Sequence, residues 1–267
     1  MKKYNILSFG GGVQSTALLA MAVNNDLNMK IDCVIFSDTG WEPKKVYKNV
    51  EMWETRAKNA GIDFYKVSAG NIKEDILSGG RFASMPFYIF NDEGEPSILR
   101  RQCTREYKIG PVKKAIRKHL FGLKKGQRFK KDMSYNILMG ISLDEIQRVN
   151  PSTKKYENTV YPLIDKRMTR IDCYQYLRKK GYEIPKKSSC IGCPFHDNNY
   201  WLSLSDDEFR EAVEFEKEVN RIKPKNIRAN YLYLHPDRVP LDQVDFNKDQ
   251  TDLGIGFINE CMGGCGI

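Results

Sequence analysis

The run Asn5-Ile6-Leu7-Ser8-Phe9-Gly10-Gly11-Gly12-Val13-Gln14-Ser15-Thr16-Ala17-Leu18-Leu19 decides the fold. A short apolar stretch leads into three consecutive glycines. A polar step, Gln14-Ser15-Thr16, follows, and an apolar run with helical spacing begins. This order reads as strand, glycine turn, helix. Glycines let the backbone approach an anion closely, and a helix start presents unpaired N–H groups to it. The stretch is therefore expected to hold phosphate; the plainer alternative is a tight turn that needed glycine.

The pattern repeats outward from there. Ile31 to Phe36 is a nearly continuous apolar strand ending in Ser37-Asp38-Thr39-Gly40-Trp41-Glu42-Pro43. Pro43 suits the first turn of a helix over about 44–60, and Gly61 closes it. Ile62 to Val67 is a third strand. Strand, helix, strand, helix, strand with apolar strands implies a doubly wound, mostly parallel α/β sheet with helices on both faces. Ligands of such sheets bind beyond the carboxyl ends of the strands. The Gly10–Thr16 loop and the Asp38-Thr39-Gly40 loop both lie there.

Further along, 70–80 reads as a helix and 81–102 as a loop or hairpin excursion over the site. Arg100, Arg101, Arg105 and Lys108 crowd around Cys103, an arrangement that suits an anion, and Pro111 opens a basic helix over about 111–121. Tyr135 to Ile141 is another strand with a polar loop, Ser142 to Arg148, at its end. Tyr161 to Asp165 is a short connection. Helices follow over about 169–180, capped by Thr169, and 205–222, with Ser205 and Glu208 in capping-box positions. A nucleotide-binding α/β domain over 1–185 is expected, with a cysteine-containing loop, helix and tail over 186–267 packed on its site.

The chain has 267 residues, 41% of them hydrophobic, and a net charge of +9. Its apolar runs are far short of the roughly 20 residues that span a membrane. The amino terminus enters a strand without a signal-peptide pattern. A cytoplasmic protein with no membrane partner is expected. The positive balance favours anionic partners, and 123–131 is a local concentration of charge. Seven cysteines occur. Cys33 and Cys173 sit in apolar-periodic segments and read as core. Cys103, Cys190, Cys193, Cys261 and Cys265 sit in loop-like contexts. Cys190-x-x-Cys193 is a two-ligand clip, ambiguous among zinc, an Fe–S cluster and redox exchange. Cys190, Cys193 and His196, with Cys103 or a tail cysteine, would make a zinc site. His119 and His235 read as structural or surface residues.

Four motifs, in order, resemble the phosphoadenosine phosphosulfate (PAPS) reductase family, within the PP-loop ATP pyrophosphatases of adenine nucleotide α-hydrolase-like fold. Ser8 to Thr16 looks like a modified PP-loop. Phe36-Ser37-Asp38-Thr39-Gly40 with Pro43 and Tyr47 is similar to the family's I-D-T-G-x-x-x-P-E-T. Cys103 to Pro111 is similar to its cysteine-then-K-x-x-P segment. Gly140 to Arg148, followed by Tyr161-Pro162-Leu163-Ile164-Asp165 and Arg170, looks like G-x-R-x-x-E-S-x-x-R and P-I-x-D-W. The departures are Gly10 and Gln14 in place of the Ser and Asp of a strict ATP-cleaving loop, Ser142 in place of an Arg, and Lys166 in place of a Trp.

The resemblance implies an enzyme in which Ser8, Phe9, Gly10, Gly11, Gly12, Gln14, Ser15, Thr16, Asp38, Thr39 and Gly40 hold an adenine nucleotide. Arg100, Arg101, Arg105, Lys108 and Arg148 would neutralise its anionic groups. It also implies a [4Fe-4S] cluster on Cys103, Cys190, Cys193 and Cys261, with zinc as the alternative metal. Cys265 would then be the tail nucleophile; the reverse assignment, Cys261 as nucleophile and Cys265 as ligand, stays open. On PAPS or adenosine phosphosulfate (APS) such an oxidoreductase releases sulfite with a thioredoxin-like reductant. The alternative is a sulfurtransferase that uses ATP-Mg to thiolate tRNA or DNA, and a nucleotide-sensing protein is a third reading. Homodimerisation stays open.

Overall fold

The computed structural model describes residues 2–78, 85–224, 227 and 229–247. Five parallel strands form the central sheet: β1 (Lys2–Phe9), β2 (Cys33–Asp38), β3 (Asp63–Ser68), β6 (Met133–Met139) and β7 (Glu157–Val160), in the order β3-β2-β1-β6-β7. Between β2 and β6 lie α2 (Lys44–Asn59), α3 (Ile72–Leu77), the hairpin β4 (Tyr88–Phe90) and β5 (Pro96–Ile98), and α4 (Gly110–Ala115). π-helical turns, Thr104–Ile109 and Ile116–Leu120, continue α4 at both ends. After β7 come α5 (Pro162–Asp165), α6 (Arg170–Lys179), α7 (Asn198–Ser203) and α8 (Asp206–Ile222).

Because successive strand residues face opposite sides, β1 sorts its apolar residues onto two cores. Leu7 and Phe9 join Val34, Phe36 and Leu138 under α1 (Val13–Val23), α2 and α6. Ile6 joins Cys33, Ile35 and Ile137 under α4 and the turn that continues it, where Val112, Ala115 and Ile116 are buried. On α2 the buried residues Val46, Val50, Trp53 and Ala57 follow helical spacing. Each such large apolar side chain contributes about 1.5–3 kcal/mol by leaving water. Cys33 and Cys173 are fully buried core residues, as read from the sequence.

A third core lies over the carboxyl ends of the strands. It joins Trp41, Ile72, Ile76 and Phe87 to Trp201, Phe215, Val219, Leu232, Leu234 and Leu241. The C-terminal segment is thus continuous with loops of the first half. Tyr88 of the hairpin pairs with Tyr233 in an isolated bridge.

The expected helices, capping boxes and parallel strands are present, and Thr169 and Ser205 cap α6 and α8 as read. Two elements escaped the reading. β7 is a polar edge strand, Glu-Asn-Thr-Val, with too little apolar pattern to stand out. α7 is six residues opened by an Asp197 cap. The Tyr161–Asp165 connection coils into a helical turn started by Pro162. The basic helix begins seven residues before Pro111, because the π-helical turn brings Thr104 to Ile109 into it. Cys261 and Cys265 lie outside the described residues.

Candidate active site

The chain leaves β1 toward β2 and β3 on one side and returns to β6 and β7 on the other. A crevice therefore opens beyond the ends of β1 and β6, where such sheets bind ligands. It is lined by Ser8, Phe9, Gly10, Gly12, Gln14 and Ser15 from the glycine loop and by Met139, Gly140 and Ile141 from the end of β6. Gly140 has to be glycine, since a Cβ there would stand 2.7 Å from the backbone nitrogen of Ser15. The close approach seats the start of α1 directly on β6.

No side chain caps α1, and its first turn holds no acidic residue. The Thr16 N–H makes the first helical bond, to the Gly12 carbonyl. The N–H groups ahead of it are the open donors of a helix start, at the positive end of the dipole. The Ser15 hydroxyl braces the loop: it accepts from the Gly10 N–H at 3.3 Å and donates to the Gly12 carbonyl at 3.2 Å. Gln14 is 7% exposed, lines the crevice, and its amide nitrogen has no partner among the described residues. A buried amide donor without a partner costs about 1–3 kcal/mol, which a ligand oxygen would recover. Gly11, at φ +79°, turns its carbonyl to the Asn49 amide. Gly11 and the fully buried Thr16 shape the loop from behind, outside the lining.

The end of β2 contributes Phe36, Ser37 and Glu42. Asp38, Thr39 and Gly40, expected beside the ligand, turn into the protein. Asp38 accepts from the Gly40 N–H and the Tyr47 hydroxyl, and Thr39 donates to Glu42. The Gly40 carbonyl accepts from Asn71, and a Cβ on Gly40 would stand 2.7 Å from the Asn71 Cα. The loop therefore positions Glu42, which sequence reasoning missed. Glu42 is 4% exposed, accepts from Thr39 and Ser188, and lies 4.0 Å from the Lys108 ammonium. Burial pushes its carboxyl up, against the opposing pull of Lys108.

The cations divide. Lys108 and Arg148 line the crevice, joined by Lys113, Arg170 and Lys187. Arg100 and Arg105 are exposed on the approach, and Arg101 lies over the Phe195 ring at 5.7 Å, all three outside the lining. Arg148 and Arg170 are held by one buried carboxylate, Glu145, at 2.5 and 3.8 Å. The motif acid from the end of β6 thus holds two guanidiniums in the crevice wall.

The cysteine loop forms the remaining wall. Ser188, Ser189, Cys193 and Phe195 face the crevice. Cys190 is buried behind them, its thiol 3.3 Å from the Thr39 hydroxyl. Burial pushes the Cys190 thiol well up; the Cys103 thiol rises to about 11, through burial and then the neighbouring Cys193. His196 does not turn Nε2 to the thiols. Nε2 lies 2.8 and 3.1 Å from the carbonyls of Cys190 and Ile191, and its ring stacks on Tyr200 at 3.6 Å. Burial lowers its pKa to about 3. Among the described residues no group of three or more His, Cys, Asp or Glu is arranged to hold a metal. The expected zinc set through His196 does not form there. The described part of the cluster set, Cys103, Cys190 and Cys193, does not by itself close around one point, so no chemistry is derived through a metal. The other histidines are structural: His119 stacks on Tyr65, and His235 meets the Asn198 side chain. No helix of the described residues is long and apolar enough to cross a membrane.

A search of curated proteins finds no match to this chain. The family model for the phosphoadenosine phosphosulfate reductase domain matches residues 4–186, from β1 through α6 to the edge of the cysteine loop. Because that match covers well over half of the 267 residues and contains the glycine loop, the β6 end and the arginines that Glu145 holds, the chain belongs to the phosphoadenosine phosphosulfate reductase domain family, PP-loop enzymes that bind adenine nucleotides.

Proposed function

We propose that this chain is a sulfonucleotide reductase-like enzyme. An adenine nucleotide lies across the strand ends, its sulfate or phosphate on the N–H groups of Gly10–Gly12 and the start of α1. Gln14 donates its amide to the same anion, and Lys108, Arg148 and Arg170 balance its charge. The observation that carries this reading is that an uncapped helix start, an unpartnered Gln14 amide and the Cys193 thiol line one crevice. Asp38, Thr39 and Gly40 serve the site through Glu42, whose place beside Lys108 they fix.

Chemistry follows from the thiols. A tail thiolate, Cys265 or in the reverse assignment Cys261, attacks the sulfur of PAPS or APS. The sulfur–oxygen bond to the nucleotide breaks, the nucleotide leaves with that electron pair, and a protein thiosulfonate remains. A thiol reductant of the thioredoxin class attacks the cysteine sulfur and releases sulfite. Nearby cations favour the thiolate, which is the reactive form. The test is sulfite release from PAPS or APS with a dithiol donor. Bound nucleotide without sulfite would refute the reductase reading and leave nucleotide binding intact.

A second reading, ATP-dependent transfer of sulfur to tRNA or DNA, is favoured by the cations that run from the crevice between residues 107 and 131. It predicts AMP and pyrophosphate from ATP only when nucleic acid is present. For either reading the proposed [4Fe-4S] cluster on Cys103, Cys190, Cys193 and Cys261 is tested by anaerobic purification with iron and sulfide analysis. Colourless protein with no iron would remove the cluster, and stoichiometric zinc would replace it.

A further inference from the structure

Residues 107–131 contain ten Lys and Arg and no Asp or Glu. The other 242 residues carry 33 basic against 34 acidic side chains, so the whole net charge of +9 resides in this one stretch. It begins in the crevice, where Lys108 and Lys113 face the glycine loop, and leaves along α4. The apolar side of that helix is buried against the sheet, which turns Lys114 and Lys118 to solvent. Arg117 lies over the Phe129 ring at 5.2 Å and donates to the Gln127 carbonyl, tying the helix to the loop that follows. Phe129 in turn stacks on Tyr156 at 4.0 Å, and the Lys154 ammonium lies 5.9 Å from the Tyr156 ring. Lys124, Lys125, Arg128, Lys130 and Lys131 are exposed on the loop. Lys108 pairs with Glu42 and Lys113 with Glu157, both buried acids on the inner side of the run.

We propose that this face docks a nucleic acid strand, which follows α4 and the 122–132 loop and presents one nucleotide to the crevice. Cations spaced along a path with no acid between them match a polyphosphate backbone, whose neutralisation releases bound counterions. Phe129 and Tyr156 stack on each other beneath Arg117 and Lys154, and so fix the cations of the loop to those of α4. A membrane-binding helix needs its apolar side outward. Here that side is inward, and none of the exposed large apolar residues lies between 107 and 131. This inference deepens the sulfur-transfer reading and rests on it for the fate of the bound strand; docking requires only the surface.

The experiment is fluorescence anisotropy of the full chain with short labelled single-stranded RNA and DNA across a salt series, with ATP and PAPS binding measured in parallel. The logarithm of the affinity should fall steeply and linearly with that of salt. In K124Q/K125Q/K130Q/K131Q the slope should drop by about 3, at about 0.7 per lost phosphate contact. Strand affinity at moderate salt should weaken at least tenfold, while mononucleotide binding, which uses none of these four lysines, stays unchanged. The proposal is overturned if the variant binds strands as the wild type does. It is equally overturned if polyglutamate or phosphatidylserine vesicles bind the wild type more tightly than the strands do. Strand binding without mononucleotide binding would sink the crevice reading, with the presentation of a nucleotide to it, and leave the docking face standing.

Discussion

The central sheet and the layer above its strand ends satisfy their backbone groups by different means. In the sheet the ladders β3-β2, β2-β1, β1-β6 and β6-β7 pair the strands with one another, backbone to backbone, and side-chain bonds such as Asn136 to Asn5 and Tyr135 to Glu157 only add to them. The layer from the cysteine loop to Gln243 sets α7 and α8 among loops, and side chains reach in to hold the loop backbone. Glu216, 1% exposed, accepts from the N–H groups of Leu234 and Leu241 at 2.8 and 2.7 Å. Asn220 both donates to and accepts from Leu232. His196 holds two carbonyls of the cysteine loop, and Glu208 reaches across to the Lys44 N–H. The sheet can therefore leave the start of α1 open for an anion, because nothing else depends on those donors. In the layer the buried His196, Glu208, Glu216 and His235 each bond to a partner from elsewhere in the chain.

If the contrast is right, the layer should fail by unfolding and the sheet by losing its ligand. The largest effect is expected for Glu216→Ala. Two buried N–H groups would lose their acceptor, at about 1–3 kcal/mol each. Urea unfolding should show a loss of about 3 kcal/mol or more; a loss under 1 kcal/mol would mean that the layer does not depend on its buried acids. Gly192→Ala comes next. A Cβ there would stand 2.2 Å from the Trp41 ring, which is fixed by Phe215 and by a bond from its N–H to Glu211. Overpacking of this kind costs about 1–3 kcal/mol, and thermal unfolding followed by tryptophan fluorescence would report it. Gly140→Ala should act differently. Its Cβ meets the backbone at Ser15, so the start of α1 must shift. Adenine nucleotide affinity should fall about tenfold, about 1.4 kcal/mol, with a smaller loss of stability than Gly192→Ala. The reverse ranking would break the comparison.

How far the molecule could be read from its sequence follows the same division. Glycine turns, helix caps and apolar strands are local signals, and they located β1, β2, β3 and β6 of the sheet, with α1, α6 and α8, to within a few residues. The glycine loop was legible as a strand–turn–helix because backbone builds it, and the Ser15 hydroxyl braces it. The roles of Glu42 and Glu145 were not legible. Each depends on partners brought in by folding: Ser188 and Lys108 for the first, Arg148 and Arg170 for the second. A lone acid before Pro43 was the available hint for Glu42. Among the cations near Cys103, spacing could not sort Lys108 from Arg100, Arg101 and Arg105. The π-helical turn, which sets a different angular step from an α-helix, carries Arg105 and Lys108, and of these two it is Lys108 that lines the crevice. The hold of Glu216 on Leu234 and Leu241 spans 18 and 25 positions of sequence, beyond any periodic signal.

The smallest expected effect is also the most specific to the layer. Burial raises the Glu216 carboxyl from 4.5 to about 7, offset in part by the two N–H groups it accepts from. Asp242 pushes it further up and Lys217 pulls it down; those two pair with each other at 2.6 Å. Between about 4.5 and about 7 the unfolded chain gives up this proton while the native chain keeps it. The native state then binds more protons, so this group's contribution to stability falls as pH rises through that window and is level above it. Gln in its place does not titrate. The stability difference between wild type and Glu216→Gln should therefore move against the wild type by on the order of 1 kcal/mol between pH 6 and 8, read from urea unfolding at each pH. A difference that holds constant with pH would place an ionised Glu216 in the native layer throughout. Its two N–H bonds would then outweigh burial, and the layer would be no more sensitive to protons than the sheet.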